Sequence, residues 1–156
     1  MRVLLTRPEP DSRALGSALT DMGIESICAP LLEIIFEDGP DLNLDGVQAL
    51  LFTSANGVRA FARGSNTRDI LAMAVGAATA RELDMHGFKN IESASGDVDT
   101  LAALVIQRLE NSDGELLHIA GSRIAGDLEG MLTNAGFKYS RSVLYRAETP
   151  DMLGAN

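Results

Sequence analysis

The sequence has little of what nucleic-acid-binding, disulfide-rich and membrane-spanning proteins require. Its 156 residues include one cysteine, no tryptophan, and 13 Lys plus Arg against 22 Asp plus Glu, a net charge of −9. The single cysteine excludes an internal disulfide and a cysteine-rich metal site. The deficit of basic residues argues against nucleic acid and anionic membranes as partners. No apolar run is long enough to cross a bilayer, and the N-terminus lacks signal-peptide features, so we expect a cytoplasmic protein.

Several residues that often carry chemistry have a structural interpretation here. Cys28 lies in an apolar strand pattern, which predicts a buried and unreactive thiol. His86 and His118 are far apart and share no motif, so we expect each to have a structural or surface role. The Gly-x-Gly-x-x-Gly and phosphate-loop signatures are absent, which argues against a nucleotide site of either type.

The most informative stretch lies between residues 50 and 61. The apolar run Leu50-Leu51-Phe52 ends in the small polar cluster Thr53-Ser54-Ala55-Asn56-Gly57, and Val58 and Phe61 then follow at helical spacing. This order predicts a buried strand that passes through a short loop into a helix. Ligands of open α/β sheets bind just beyond the carboxyl ends of the strands, so the polar cluster is a candidate site.

Three predicted helices share one ending. In each, a leucine is followed four residues later by glycine and then by an apolar residue. The three endings are Leu19…Gly23-Ile24, Leu83…Gly87-Phe88 and Leu132…Gly136-Phe137. This spacing is typical of a Schellman cap, in which the glycine is left-handed and the two apolar residues touch. Because each cap leads into a strand, the repeats predict a parallel α/β sheet with right-handed crossovers.

The acidic, turn-rich segment Glu37-Asp38-Gly39-Pro40-Asp41 predicts a linker between two sheets. The first 30 residues cannot bury both faces of a strand–helix–strand unit alone, so we expect them to need a partner. Residues 148–156 lack periodicity and are expected to be loose. Predicted strands cover 2–6, 24–29, 48–53, 73–76, 91–94, 115–120 and 142–147, and predicted helices include 77–86 and 125–135.

Polar residues follow most of these strands, and parallel strands place their carboxyl ends on one rim. Taken singly, Ser54, Asn56, Thr79, Asp97 and Ser122 each favour a helix cap. Together with Ser95-Gly96 and Arg7, these loops indicate a surface of hydroxyls and backbone N–H groups suited to a ligand with several carboxylates. Tyr145 is consistent either with core packing or with a weak acid at the cleft.

Five motifs occur in register with a known family: Thr6-Arg7-Pro8-Glu9-Pro10, Ala29-Pro30-Leu31-Leu32, Leu51-Phe52-Thr53-Ser54-Ala55-Asn56-Gly57-Val58, Val75-Gly76-Ala77-Ala78-Thr79-Ala80 and Val143-Leu144-Tyr145-Arg146. The chain thereby resembles uroporphyrinogen-III synthase over about its first 150 residues. The resemblance implies parallel-sheet α/β domains. Residues 1–36 would open a discontinuous first domain, residues 37–143 would form a complete inserted domain, and residues 144–156 would form the return crossing and tail. Most of the first domain would be absent, and its incomplete sheet would favour self-association.

The resemblance also implies the chemistry. Hydroxymethylbilane would lose water and close to uroporphyrinogen III with its last pyrrole inverted, without a metal or organic cofactor. Tyr145 would protonate the departing hydroxyl. Carboxylates would be held by Arg7, Ser54, Asn56, Thr79, Ser95, Gly96 and Ser122. Two alternatives stay open: a truncated, non-catalytic tetrapyrrole-binding fragment of that family, and an unrelated α/β ligand-binding or receiver-type module.

Overall fold

The computed structural model describes residues 1–38 and 41–150. The strands in this part are β1 Arg2–Leu5, β2 Glu25–Cys28, β3 Glu33–Phe36, β4 Val47–Phe52, β5 Leu71–Ala74, β6 Ile91–Ser93, β7 Glu115–Gly121 and β8 Tyr139–Glu148. The helices are α1 Asp11–Asp21, α2 Ala55–Gly64, α3 Ala77–Met85, α4 Val98–Arg108 and α5 Leu128–Asn134. Among these helices, none is long and apolar enough to cross a membrane. The predicted α/β class is confirmed.

The described residues fall into two compact units. Unit one contains residues 1–35 and 147–150, and unit two contains residues 36–146. Their strands form a two-stranded sheet, β1-β2, and a six-stranded sheet in the order β3-β8-β7-β4-β5-β6. The pairs β1–β2, β4–β5, β4–β7, β5–β6 and β7–β8 are all parallel. Two sheets are therefore present, but the acidic segment 37–41 does not separate them, because β3 before it and β4 after it belong to the same six-stranded sheet. The assignment of residues 1–36, 37–143 and 144–156 to domains stays a prediction.

The central strand β4 separates two apolar cores in unit two. Leu50 and Phe52 face one core, which Val58 and Phe61 of α2 complete together with α3 residues. Ala49 and Leu51 face the other core, where α4 and α5 pack. Successive side chains of a strand point to opposite faces, so a fully buried strand with helices on both sides reads as a continuous apolar run. The run 49–52 has this pattern, and all four of its residues are buried.

The three glycine-terminated helices end as predicted. At the end of α1, the N–H of Ile24 donates to Leu19 O at 2.8 Å and the N–H of Gly23 donates to Thr20 O at 2.9 Å. These are the two hydrogen bonds of a Schellman cap, and equivalent pairs end α3 and α5. The glycines have φ values of +74° at Gly23, +83° at Gly87 and +90° at Gly136. A side chain at any of the three positions would be strained, which explains why glycine occupies them.

Unit one contradicts one expectation. Cys28 is exposed, with its Sγ 3.8 Å from Ser12 O, and is not a buried thiol. Leu15 of α1 and Met22 just after its end are also exposed, because this helix packs on the sheet through the small residues Ser12 and Gly16. Since the sheet has only two strands, the helix covers part of one face. The other face carries Leu4 and Ile27 side by side, and both are exposed.

The largest boundary differences in unit two are at the starts of α5 and β8, and β5 lies two residues before its predicted position. Helix α5 begins at Leu128 and not at Ala125, because the Asp127 side chain accepts a hydrogen bond from Gly130 N at 3.0 Å and caps the helix there. Strand β8 begins at Tyr139, three residues before the predicted start, and extends to Glu148. Residue 148 therefore belongs to a strand, while the last part of the predicted loose tail, 151–156, lies outside the described residues.

Candidate functional site

The strand order of unit two creates one topological switch point. From β4 the chain proceeds to β5 and β6 on one side, and then crosses to β7 and β8 on the other side. The loops that leave β4 and β7 consequently diverge toward opposite faces of the sheet. Crevices of this kind, at the carboxyl ends of the strands, are where open α/β sheets bind ligands.

A cavity of about 540 Å³ occupies this position, and we call it the strand-end cleft. Its lining comes from the ends of five neighbouring strands: Thr53 and Ser54 after β4, Val75 after β5, residues 96–99 after β6, residues 123–126 after β7, and Tyr145 within β8. Of the site residues predicted from the sequence, three belong to this lining: Ser54, Gly96 and Tyr145. The volume suits part of a large organic ligand.

Ser54 has two roles in this cleft. Its backbone is extended and its Oγ accepts a hydrogen bond from Gly57 N at 3.2 Å, which caps α2. The same Oγ lies 2.6 Å from the hydroxyl of Tyr145, a short hydrogen bond between residues 91 positions apart. The capping interpretation of Ser54 is thus correct, and it coexists with a direct contact to the predicted acid.

Tyr145 is held by main-chain as well as side-chain contacts. Its carbonyl oxygen accepts a hydrogen bond from Ser122 N at 2.9 Å, and its ring is half-buried against the core on the α2 side. Its hydroxyl reaches the cleft beside Ser54. A phenol placed this way can donate a proton to a ligand while a second hydroxyl stabilises its oxygen.

The adjacent residue Thr53 connects the cleft to a buried polar chain. Thr53 Oγ1 lies 2.9 Å from His118 Nε2, and His118 Nδ1 lies 2.7 Å from the Tyr139 hydroxyl. Burial, with a smaller contribution from the positive charge of Arg141, lowers the pKa of His118 from 6.5 to about 4. Burial also raises the pKa of Tyr139 to about 12. Both groups are therefore neutral at pH 7, when one ring nitrogen of His118 donates and the other accepts.

Two predicted binding residues are engaged elsewhere. Asn56 Oδ1 accepts a hydrogen bond from Arg59 Nη1 at 2.9 Å, and Arg59 also bonds Glu82 across α2 and α3. Thr79 lies inside the first turn of α3 and is buried, while Gly76 holds the N-cap position. The capping interpretation of Thr79 is therefore wrong, because α3 begins two residues before it.

The remaining predicted residues flank the cleft or belong to unit one. Ser95 N donates to Thr100 Oγ1 at 3.3 Å beside the cleft residue Gly96. Ser122 is exposed and does not cap α5; its backbone contacts Tyr145. Arg7 is an exposed residue of unit one. Contacts between these residues and a substrate stay predictions.

Three charged residues of the lining were not among the predicted binding residues. Arg123 is an exposed cation on the loop after β7. The sequence pattern indicated this loop, but the binding residue predicted there was its serine, Ser122. The position of Arg123, two residues beyond a buried strand, could have indicated its role. Asp97 and Asp99 line the cleft from α4. Asp97 caps α4 in a capping box with Thr100, and the Thr100 backbone N–H, followed by the Thr100 hydroxyl, lowers the pKa of Asp97.

A second cavity of about 390 Å³ lies beside α2. Glu37, Asp38 and Asp41 contribute to its lining, and Arg63 there stacks over the Phe36 ring at 4.7 Å. Its acidic character disfavours a ligand with several carboxylates. Within the described residues, no group of three or more His, Cys, Asp or Glu could hold a metal ion.

The comparisons with known proteins agree with the fold. A protein of Methanocaldococcus jannaschii, itself provisionally named a uroporphyrinogen-III synthase, is 40% identical over 58 residues, which are 37% of this chain and 24% of that protein. The crystal structure of uroporphyrinogen-III synthetase from Helicobacter pylori matches with a TM-score of 0.65 at 20% identity, over 97% of this chain and 64% of that one. A mutant uroporphyrinogen III synthase from Thermus thermophilus matches with a TM-score of 0.61 at 17% identity, over 96% and 64%.

At these identities the solved structures show a shared fold, and the chain spans about 64% of their length. The match to a family profile covers more of the chain than the 58-residue match to the Methanocaldococcus jannaschii protein. The profile of the family described as uroporphyrinogen-III synthase HemD matches residues 13–156, which is most of the chain. The chain belongs to the uroporphyrinogen-III synthase family.

Proposed function

We propose that this chain acts as a uroporphyrinogen-III synthase, a cyclising lyase that converts hydroxymethylbilane to uroporphyrinogen III with loss of water. The observation that carries the proposal is the 2.6 Å hydrogen bond between the Tyr145 hydroxyl and Ser54 Oγ at the strand-end cleft. This contact supports the proposal because it brings a phenol hydroxyl to the switch point of the sheet in a chain of this family.

In the proposed reaction, Tyr145 donates its proton to the terminal hydroxyl of the bilane. The carbon–oxygen bond breaks, water leaves, and the lone pair of the neighbouring pyrrole nitrogen forms an azafulvene that is still protonated on nitrogen, whose charge the Tyr145 phenolate balances. The last pyrrole then attacks through its substituted carbon to give the spiro intermediate. The original bond from that carbon to its methylene breaks, the unsubstituted carbon of the same ring bonds to the released methylene, and the proton that this carbon loses returns to Tyr145, which leaves the ring inverted in the macrocycle. The substrate is intrinsically reactive, so holding it in the folded geometry and excluding simple closure account for much of the rate.

Ser54 assists the proton transfer. Its oxygen already accepts the Gly57 N–H, so its own proton is available for the oxygen of Tyr145. When Tyr145 gives up its proton, the Ser54 hydroxyl donates to the developing phenolate. A hydrogen bond that strengthens as charge develops favours the transition state over the ground state.

Carboxylate side arms of the bilane would bind at the edge of the cleft. Arg123 supplies a guanidinium there, whose planar donor pair matches a carboxylate. The hydroxyl of Thr53 adds a polar contact. Gly96 remains a predicted contact, although its backbone N–H already donates to Val75 O at 2.7 Å. Arg7, Asn56, Thr79, Ser95 and Ser122 remain predicted contacts, and the cytoplasmic location remains a prediction as well.

The test is conversion of enzymatically generated hydroxymethylbilane, followed by oxidation of the products and separation of the porphyrin isomers. We expect the III isomer in excess over the I isomer that forms without enzyme. If only the I isomer forms at the uncatalysed rate, the chain is not an active synthase. Titration with uroporphyrinogen III then examines the alternative, a tetrapyrrole-binding protein without turnover, which requires saturable binding.

A further inference from the structure

Strands β7 and β8 change register just before the cleft. Ala120 lies opposite Val143, and the next residue, Gly121, lies opposite Tyr145. Strand β8 thus contains one extra residue, Leu144, in a β-bulge. Leu144 and Tyr145 both pack against the core on the α2 side. Neighbouring residues of a regular strand point to opposite faces, so the bulge is what directs Tyr145 to the face where Ser54 lies.

The residue opposite Tyr145 has no side chain, and the ring uses that space. A Cβ on Gly121 would lie 2.6 Å from Cε2, 2.7 Å from Cζ and 3.0 Å from the hydroxyl oxygen of Tyr145. All three of its nearest neighbours therefore belong to the hydroxyl-bearing end of this ring. Gly121 does not have a positive φ, so its backbone conformation is open to alanine. The Tyr145 ring, and not the backbone, requires glycine here.

We propose that Gly121 is a positioning residue for Tyr145. Together with the bulge, its bare Cα fixes where the phenol lies and thereby sets the 2.6 Å contact with Ser54. The next residue in β7 adds a main-chain restraint, because Ser122 N donates to Tyr145 O at 2.9 Å. The catalytic consequence rests on the proposed synthase function, while the positional consequence does not.

The positional test is a spectrum of the whole chain labelled with ¹³C at tyrosine Cζ. The sequence contains two tyrosines, so two signals appear, and Tyr139→Phe and Tyr145→Phe assign them. We expect Gly121→Ala to shift the Tyr145 signal and to leave the Tyr139 signal in place. The matched control is Gly64→Ala in α2, where a Cβ would meet nothing within 4 Å, and neither signal should move. An unshifted Tyr145 signal in Gly121→Ala overturns the proposal.

The kinetic test distinguishes a positioning role from a general loss of structure. We expect Gly121→Ala to lower kcat at least tenfold with little change in KM, because the carboxylate-binding groups stay in place. The double variant Gly121→Ala/Tyr145→Phe should be no slower than Tyr145→Phe alone, since Gly121 acts through that hydroxyl. If kcat of the double variant falls by the product of the two single-variant losses, the proposal is contradicted. If the unmodified chain makes no III isomer, the synthase function fails, and the tyrosine spectrum still decides the role of Gly121.

If Gly121→Ala does not fold, a second variant settles the question. Gly121→Ala/Tyr145→Val removes the ring that the new methyl group would strike. Recovery of a cooperative unfolding transition in this double variant supports the proposal, and continued failure to fold refutes it.

Discussion

Thr53 Oγ1 and His118 Nε2 lie 2.9 Å apart, so the wall of the strand-end cleft is hydrogen-bonded directly to a buried imidazole. The other ring nitrogen of His118 contacts Tyr139, and burial keeps the ring neutral. The cleft hydroxyl therefore contacts a group whose charge in the folded protein changes near pH 4.

The first prediction concerns the pH dependence of stability. The pKa of His118 falls from 6.5 in the unfolded chain to about 4 in the folded one. Between those values the unfolded state binds a proton that the folded state does not, so stability decreases as pH falls from 6.5 toward 4. The loss should be about 2 kcal/mol between pH 7 and pH 5. Urea unfolding at both values measures it. In His118→Gln that difference should shrink by about this amount, and an equal difference in both proteins contradicts the assignment.

The second prediction compares the two tyrosines. Tyr145→Phe removes the proposed proton donor and should lower kcat about 10²- to 10⁴-fold, with a stability change of about 1 kcal/mol or less. Tyr139→Phe makes the same chemical change but leaves Nδ1 of the buried His118 without this partner, so it should destabilise by about 1–3 kcal/mol. Its kcat should change only a few-fold. Isomer analysis measures the change in kcat and urea unfolding measures the change in stability for both variants. A larger loss of kcat in Tyr139→Phe, or a larger loss of stability in Tyr145→Phe, would contradict the proposed roles.

The third prediction concerns Arg123. Arg123→Gln removes the proposed charged contact to a substrate carboxylate. Such a contact is worth about 1.5–3 kcal/mol, so KM should rise roughly 10- to 100-fold. The kcat value should change less, because the proton donor is untouched. Arg63→Gln in the acidic second cavity is the control and should leave KM unaltered. Equal KM values for all three proteins would remove Arg123 from the binding surface.

The fourth prediction concerns an ion pair between α2 and α3. Arg59 Nε lies 2.9 Å from Glu82 Oε1, and the two side chains are 15% and 12% exposed. Glu82→Gln removes the negative charge that the partly buried guanidinium contacts and should destabilise by about 3 kcal/mol. Glu92→Gln is the control, since its partner Arg108 is 59% exposed, and should cost less than about 1 kcal/mol. Circular dichroism in urea measures both, and similar costs would show that burial does not govern these pairs.

The fifth prediction concerns the uncovered sheet face of unit one. Leu4 and Ile27 lie side by side there, and exposed apolar surface of this kind favours association. We expect self-association that increases with concentration in sedimentation velocity and decreases in Ile27→Lys. Ile27 is 49% exposed and Ile106 of α4 is 48% exposed, so Ile106→Lys is the matched control. A monomer at all concentrations, or equal effects of the two variants, would contradict the expectation.

Local patterns allowed much of the secondary structure to be predicted in both units. Gly23, Gly87 and Gly136 identified three helix ends because a left-handed cap residue is a local requirement. The run before Ser54 identified the central strand, and Ser54 its helix cap. Features that depend on contacts between residues distant in sequence were missed, because a local pattern contains no information about them. The His118–Tyr139 bond and the bulge at Leu144 depend on the register of strands that are distant in sequence. Exposure of Cys28 depends on which elements cover β2, which a strand pattern does not record.

The cap of α4 also makes the charge of the strand-end cleft differ between its two walls. The Asp97 carboxylate accepts the Thr100 N–H, so it fills the place at this helix end where a ligand's anionic group could otherwise bind. Asp99 adds a second negative charge in the same turn. The α4 wall therefore repels carboxylates, while the loop after β7 attracts them through Arg123. We therefore expect a polycarboxylate ligand to bind with its charged arms toward Arg123 and its uncharged ring faces along α4.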